Sequence, residues 1–275
     1  MTTLECCSNS EGGPVEEFYR PLGDGSFAAT PATAGPWSPD AQHAGPVAGL
    51  LGRALERHEP VPGTRVARVT VEILGPVPVA ELAVTARVVR PGRRVALLEA
   101  VMTHAGRPVA RATAWRILAA PERLPAFSHA PAPPPLPEST PPLETWPEAH
   151  ADGYLAAMEW RVVEGALGRP GPGVTWARAR VPLVSGEADT PLVRALVLAD
   201  SASGVGSQLD LSKWLIINTD LTVALHRDPV GEWLCMGAAV HTSPRGSALC
   251  EAALADRSGD FGRVLQTLLV DEPPG

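Results

Sequence analysis

The densest proline in this chain falls between residues 119 and 150, where Ala-Pro-Ala-Pro-Pro-Pro-Leu-Pro (130–137) is followed by Pro141-Pro142. Proline has no N–H to give to a ladder and its ring holds the backbone near the polyproline conformation. Such a stretch cannot run inside a sheet and favours extended, semi-rigid chain. Segment 119–150 is therefore read as a loose linker. It leaves parts of about 118 and 125 residues, each large enough to bury a core of its own.

The two parts share one grammar. In the first, His43 to His58 sets Val47, Leu50, Leu51, Ala54 and Leu55 at helical spacing, with Arg53, Glu56 and Arg57 on another face. Strand-like runs follow over 64–74, 79–90, 94–105 and 107–118, separated by Pro76-Val77-Pro78, Pro91-Gly92 and Ala105-Gly106. In the second, strand-like 154–163 and 174–183 precede a helix over about 189–203. Further strands are expected near 214–226, 231–241, 246–256 and 261–270, broken by Asp228-Pro229, Pro244-Arg245-Gly246 and Ser258-Gly259. An offset near 150 lays Thr103–Ala110 on Asp256–Arg263 with a glycine in register. A duplicated helix-plus-antiparallel-sheet unit is the simplest reading, since propellers and solenoids need shorter periods and more copies. The expected division is a disordered lead over 1–15, a first unit over 16–118, the linker over 119–150 and a second unit over 151–275.

Composition narrows the function classes. A net charge of −7 argues against nucleic acid as a partner, because phosphate binding wants clustered basic residues. No run approaches the ~18 apolar residues of a membrane span. The start of the chain shows no basic region leading into an apolar stretch, so a secretory signal is not expected. Of the four cysteines, Cys235 and Cys250 lie in strand-like runs and read as small core hydrophobes, while Cys6 and Cys7 sit in the lead. No C-x-x-C occurs, so zinc and thioredoxin chemistry have no support, and a reducing cytoplasm is the expected compartment.

Three polar residues stand out against apolar surroundings. Asp200 ends Leu-Val-Leu-Ala-Asp (196–200), Asn218 lies in Ile-Ile-Asn-Thr-Asp-Leu-Thr (216–222), and Gln266 lies in Val-Leu-Gln-Thr-Leu-Leu-Val (264–270). A buried polar group without partners costs about 1–3 kcal/mol, so three in one half of a chain point to a polar site built inside a core. An aspartate can accept a proton from water, and two amides can hold both in place through their donors and acceptors. No G-x-S-x-G elbow is present to suggest a serine nucleophile.

The ordered segments Trp37-Ser-Pro-Asp-Ala-Gln-His43-Ala-Gly45, Arg68-Val-Thr-Val-Glu-Ile-Leu-Gly-Pro76, His104 to Trp115, Leu198-Ala-Asp200, Asp220 to Arg227, Gly231-Glu-Trp233-Leu and the final strand through Gln266 carry a resemblance. Over about 17–270 the chain resembles the thioesterase-like superfamily related to bacterial acyl-CoA thioesterase II. The resemblance implies an α+β double hotdog, in which two helix-plus-antiparallel-sheet units form one continuous sheet. It implies hydrolysis of acyl-CoA or acyl-carrier thioesters, in fatty acid metabolism, with neither metal nor redox cofactor. Asp200 and Gln266 match the family's catalytic aspartate and glutamine. Its third member is a threonine two residues before the Asp-x-x-x-x-x-His-Arg run, and that position is Asn218 here. Thr219 is no substitute, because a one-residue slip turns a strand side chain to the other face.

His43, Gly45 and Thr219 are the expected substrate-binding residues. The family pattern has two consecutive glycines after the histidine where this chain has Gly45-Pro46, and Pro46 has no N–H to offer an oxyanion. His226-Arg227 is read as a solvated turn, and Trp37, Trp214 and Trp233 as sheet packing or tunnel wall. Two other functions stay open: a hotdog hydratase or dehydratase, and a non-catalytic acyl-CoA-binding protein. The first is disfavoured because Asp200 shows no obvious histidine across from it. Pairing into a homo-oligomer is left open.

Overall fold

The computed structural model describes residues 17–120, 124, 125, 127–167 and 169–272. The expected lead over 1–15, with Cys6 and Cys7, lies outside the described residues. In chain order come β1 (Tyr19–Gly23), β2 (Ser26–Ala29), β3 (Ala34–Gly35), β4 (Ser38–Gln42), α1 (Ala44–Arg57), β5 (Thr64–Ile73), β6 (Glu81–Arg90), β7 (Val95–His104) and β8 (Arg107–Leu118). The second half holds α2 (Tyr154–Ala157), β9 (Met158–Ala166), β10 (Arg169–Ala179), α3 (Pro191–Ala199), α4 (Ala202–Val205), β11 (Leu215–Asn218), β12 (Asp220–Leu225), β13 (Leu234–Thr242), β14 (Ser247–Asp256) and β15 (Gly259–Asp271).

One antiparallel sheet runs β1-β2-β6-β7-β8-β5-β12-β15-β14-β13-β10-β9, with β11 also paired to β15. The order reads the same outward from its centre: β5, β8, β7, β6 on one side and β12, β15, β14, β13 on the other. β7 begins at Val95 and β14 at Ser247, β8 at Arg107 and β15 at Gly259, an offset of 152 residues in each case. The halves join edge to edge at β5–β12, where Thr70 and Thr222 face each other and their hydroxyls meet at 3.0 Å. Joining there satisfies two strand edges that would otherwise expose unpaired backbone. This is the double hotdog that the resemblance implies.

Strand parity decides which face is buried. Leu98, Ala100 and Met102 of β7 and Cys250, Ala252 and Leu254 of β14 are buried while their neighbours are more exposed, so one face of the long sheet is mostly apolar, with Arg116 and Gln266 among its polar exceptions. α1 and α3 lie on that face and pack on each other in antiparallel sense. The crossing is close because glycines of α1 meet α3: a Cβ on Gly45 would lie 2.3 Å from the Val197 carbonyl oxygen, and one on Gly52 2.2 Å from Leu196 Cδ1. Thr190 caps α3 by accepting the Val193 N–H, with Pro191 in its first turn.

Several expectations change. The run read as one helix over 189–203 is two, α3 and α4, separated at Asp200-Ser201, where both residues keep right-handed helical dihedrals but the Ser201 N–H turns to the Leu198 carbonyl at 3.0 Å, three residues back instead of four. The strand expected over 214–226 breaks at Thr219 into β11 and β12, since β11 pairs only with β15 whereas β12 also takes β5 as a partner. The strand at 154–163 opens instead with the helical turn α2. Elements β1 to β4 were not anticipated: each has five residues or fewer, and all but β2 contain proline or glycine.

The hairpin glycines also differ by one place. Ala105 and Gly106 form the first turn with φ of 47° and 76°, the I′ pattern, whereas Gly259, at 115°, is the residue after the second turn. The proline-rich segment carries no helix or strand among its described residues, yet it is strapped to the sheet. Trp176 Nε1 donates to the Pro134 carbonyl at 3.1 Å, Arg161 to that of Pro137 at 2.5 Å, and Trp146 is buried. No helix among the described residues is long and apolar enough to cross a membrane.

Candidate active site

Antiparallel packing sets the N-terminus of α1 beside the C-terminus of α3. His43 is the N-cap of the first and Asp200 the C-cap of the second, and their side chains meet: His43 Nδ1 lies 3.0 Å from Asp200 Oδ2. The same nitrogen receives the Gly45 N–H at 3.1 Å. The imidazole is stacked on the Tyr154 ring, centroids 3.7 Å apart and planes 9° from parallel. Tyr154 is fixed in turn by its hydroxyl, which lies 2.8 Å from both the Val197 carbonyl and Ser201 Oγ. Burial pushes its phenol above the usual range, so it remains neutral.

The other carboxylate oxygen is held by amides. Asn218 Nδ2 donates to Asp200 Oδ1 at 2.6 Å, and Gln266 Nε2 donates to the same atom at 3.2 Å and to the Asp200 carbonyl at 3.3 Å. Gln266 comes from the buried parity of β15, between Val264 and Leu268, and is fully buried. Its Oε1 accepts the Ser203 N–H at 3.1 Å, one of the first amides of α4, which have no partner within the helix. Asp200 is thus a buried carboxylate with defined partners on both oxygens, set between the positive N-terminal end of α1 and the negative C-terminal end of its own helix α3.

A cavity of about 370 Å³ opens over this group. His43, Asp200 and Asn218 supply its polar wall, and Trp37, Ile73, Val77, Trp146, Leu155 and Ile216 much of its apolar wall. Trp37 and Trp146 meet at a tilt of 33° with centroids 4.6 Å apart, and Trp37 is about half exposed at the surface. The site therefore draws on both hotdogs and on the strapped segment between them.

The three residues singled out as polar interruptions do converge, but not on equal terms. Asp200 and Asn218 face the cavity, whereas Gln266 is not among the lining residues and sits behind Asp200. His43 lines the cavity against Asp200, which overturns the expectation that no histidine stands across from that carboxylate. Gly45 does not line the cavity. Its N–H caps onto His43, and its missing side chain serves the approach to Val197. Thr219 reaches the rim, with its N–H and hydroxyl both turned to the Thr267 carbonyl at 2.9 and 3.2 Å.

Arg227 is not in a merely solvated turn: it grips the fully buried Asp256 at 2.6 and 2.8 Å. Burial pushes the Asp256 carboxyl up, but hydrogen bonds from Arg227, Val230 N–H and Ser258 N–H outweigh this and hold it below its usual range. Trp233 carries Arg161 and Arg178 over its ring, 4.5 and 5.0 Å from the centroid. Cys235 and Cys250 are buried free thiols, pushed up to about 12 chiefly by burial. The reading from sequence missed Tyr154, Trp146 and Ser203, whose parts depend on contacts between distant segments.

The first hotdog lacks the same equipment. In β14–β15 Cys250 pairs with Gln266, and at the matching place in β7–β8 Leu98 pairs with Ala114, with no polar atom to hold a carboxylate. At the other end of the helix crossing Thr190 donates to Glu56 at 2.5 Å, and Arg53 and Arg57 clamp Glu187.

Residues 33–117 match the acyl-CoA thioesterase N-terminal domain and residues 130–270 the acyl-CoA thioesterase C-terminal domain. No curated protein sequence matches. Among solved structures, a putative thioesterase II from Thermobifida fusca is 17% identical, with a TM-score of 0.71 over 94% of this chain and 99% of that one. A putative thioesterase from Novosphingobium aromaticivorans is 22% identical, with a TM-score of 0.71 over 92% and 98%. An acyl-CoA thioesterase II from Mycobacterium marinum is 17% identical, with a TM-score of 0.64 over 94% and 96%. At these identities the likeness is one of fold. The two domain matches go further, and the chain belongs to the acyl-CoA thioesterase family.

Proposed function

We propose that this protein hydrolyses acyl thioesters, carried on CoA or on an acyl carrier protein, to a free acid and a thiol. The observation that carries the reading is a buried, cavity-facing carboxylate whose Oδ1 is held by two amides, beneath an apolar chamber. Water bound at Asp200 gives up its proton to the carboxylate as its oxygen attacks the thioester carbonyl. Asn218 holds Asp200 from the cavity side. Gln266 is a positioning residue, fixing the carboxylate from behind. The apolar wall from Trp37 to Ile216 receives the acyl chain. Thioesters are reactive enough that no covalent nucleophile is required.

Asp200→Asn tests this directly. The amide can keep the hydrogen bonds from Asn218 and Gln266 and donate to His43 Nδ1, so folding survives, but it cannot take a proton. The kcat for release of free thiol across a chain-length series of acyl-CoAs falls by about 100-fold or more, with little change in Tm. Hydrolysis at the parent rate in a folded Asp200→Asn protein refutes the assignment.

The His43–Asp200 contact favours a second reading, since an imidazole and a carboxylate 3.0 Å apart form the acid–base pair that enoyl-thioester hydration requires. Loss of enoyl-CoA absorbance without thiol release would select hydration. Acyl-CoA binding without either reaction would mark a binding protein.

A further inference from the structure

His43 Nδ1 has two neighbours that make opposite demands on it. The Gly45 N–H at 3.1 Å needs a bare nitrogen to accept it, whereas Asp200 Oδ2 at 3.0 Å needs a proton between the two atoms. One nitrogen cannot meet both at once, so the contact has two states that differ by one proton on Asp200. When Asp200 is ionised and Nδ1 accepts from Gly45, the neutral ring carries its proton on Nε2. When Asp200 has taken a proton, Oδ2–H can donate to Nδ1. The ring cannot swing out of this geometry, because it is stacked face to face on a buried tyrosine whose own hydroxyl is held at two points. Nε2, on the far edge of a ring that lines the cavity, has no protein partner among the described residues.

We infer that His43 is a catalytic residue that delivers to the leaving sulfur the proton that Asp200 takes from water. This rests on the hydrolytic reading and extends it to the half of the reaction that Asp200 alone leaves open. In the first step the water oxygen forms a bond to the carbonyl carbon, the carbonyl π pair moves onto oxygen, and one water proton passes to Asp200. In the second the oxygen pair returns, the C–S bond breaks and sulfur takes its electron pair. His43 Nε2 gives its proton to that sulfur while Nδ1 receives the proton from Asp200 Oδ2. Acid and thiol leave, and the ring regains its starting tautomer when Nε2 takes a proton from solvent and Nδ1 gives its own back to Asp200, which releases it to solvent. Every proton that leaves water is accounted for, and the single negative charge passes from Asp200 to the carbonyl oxygen and back.

The test uses leaving groups of different need. An alkyl thiolate such as that of CoA leaves poorly without a proton, whereas an aryl thiolate is stable enough to leave unaided. Octanoyl-CoA and S-phenyl thiooctanoate are compared on the parent and on His43→Asn, whose side-chain amide can replace Nδ1 beside Asp200 but offers nothing at Nε2. The expected result is a fall in kcat of about 100-fold or more on the CoA ester, the range of general acid catalysis, with a much smaller fall on the phenyl ester. His43→Ala with added imidazole is the second arm, and imidazole is expected to restore turnover of the CoA ester selectively. Equal losses on both esters, or no loss on either, overturn the proposal, the first by reducing His43 to a support for Asp200. A parent inactive on both esters instead overturns the hydrolytic reading itself. Thermal melts of both variants separate either outcome from unfolding.

Discussion

Replacing Gln266 with leucine removes an amide of similar size from a fully buried position, so little cavity is created and the cost lies in hydrogen bonds. Ser203 N–H loses the Oε1 that accepts it at 3.1 Å, and a buried donor left unpaired costs about 1–3 kcal/mol. Asp200 loses the 3.2 Å donor to Oδ1, and a hydrogen bond to a charged group contributes about 1.5–3 kcal/mol. Part of this is offset by the easier burial of leucine, leaving about 3 kcal/mol. For a chain of this size that is a fall in Tm of about 6–12 °C.

Because Gln266 does not line the cavity, kcat should drop while KM hardly moves. Calorimetry and steady-state thiol release measure both. A Tm within about 2 °C of the parent, or a raised KM with kcat unchanged, refutes the placement of Gln266 as a support behind Asp200. Gln266→Glu sharpens the case by keeping an acceptor for Ser203 but setting a second carboxylate against Asp200. Two such groups share one proton, which raises the folded-state pKa of the pair. A raised carboxyl stabilises relatively below its unfolded value of about 4.3, and that stability is lost as pH rises through the folded value. The Gln266→Glu variant should therefore approach parental stability at pH 4 and fall away from it toward pH 8.

Gly45→Ala should lower stability by about 1–3 kcal/mol and reduce turnover more than that alone explains. A Cβ there meets the Val197 carbonyl at 2.3 Å, and relieving it moves His43 away from Asp200. Unfolding in urea and thiol release report the two effects. Arg227→Gln should cost about 2–4 kcal/mol at pH 7, because the fully buried Asp256 keeps its charge without its partner. A depressed carboxyl contributes stability above its unfolded pKa of about 3.9 and loses it as pH falls through the folded value, so this difference should shrink toward pH 3. A difference that stays constant from pH 7 to pH 3 would show that the pair does not set it.

How much was legible follows from how local each feature is. Helix α1 was read at 43–58 and spans Ala44–Arg57, and β8 was read at 107–118 and spans Arg107–Leu118, because a period of 3.6 or 2 is printed in consecutive residues. Asn218 and Gln266 were visible as polar side chains at apolar parity. The break at Asp200 was not, since the apolar spacing runs on through Ala202 and Val205 without glycine or proline at the join. Nor was the meeting of His43 with Asp200, 157 positions apart, because no window of sequence contains both.

The sequence by itself determined a duplicated helix-plus-sheet chain with apolar faces to bury and polar residues stranded on one of them. These are properties of backbone period and residue polarity, which act over a few residues. Tertiary structure decided that the two helices run antiparallel at glycine distance, that the sheets join at β5–β12, and that Trp146 closes the chamber. Direction of crossing and choice of edge arise from how whole faces pack and pair. They alone bring the cap of one helix to the end of the other, and the candidate site consists of that meeting.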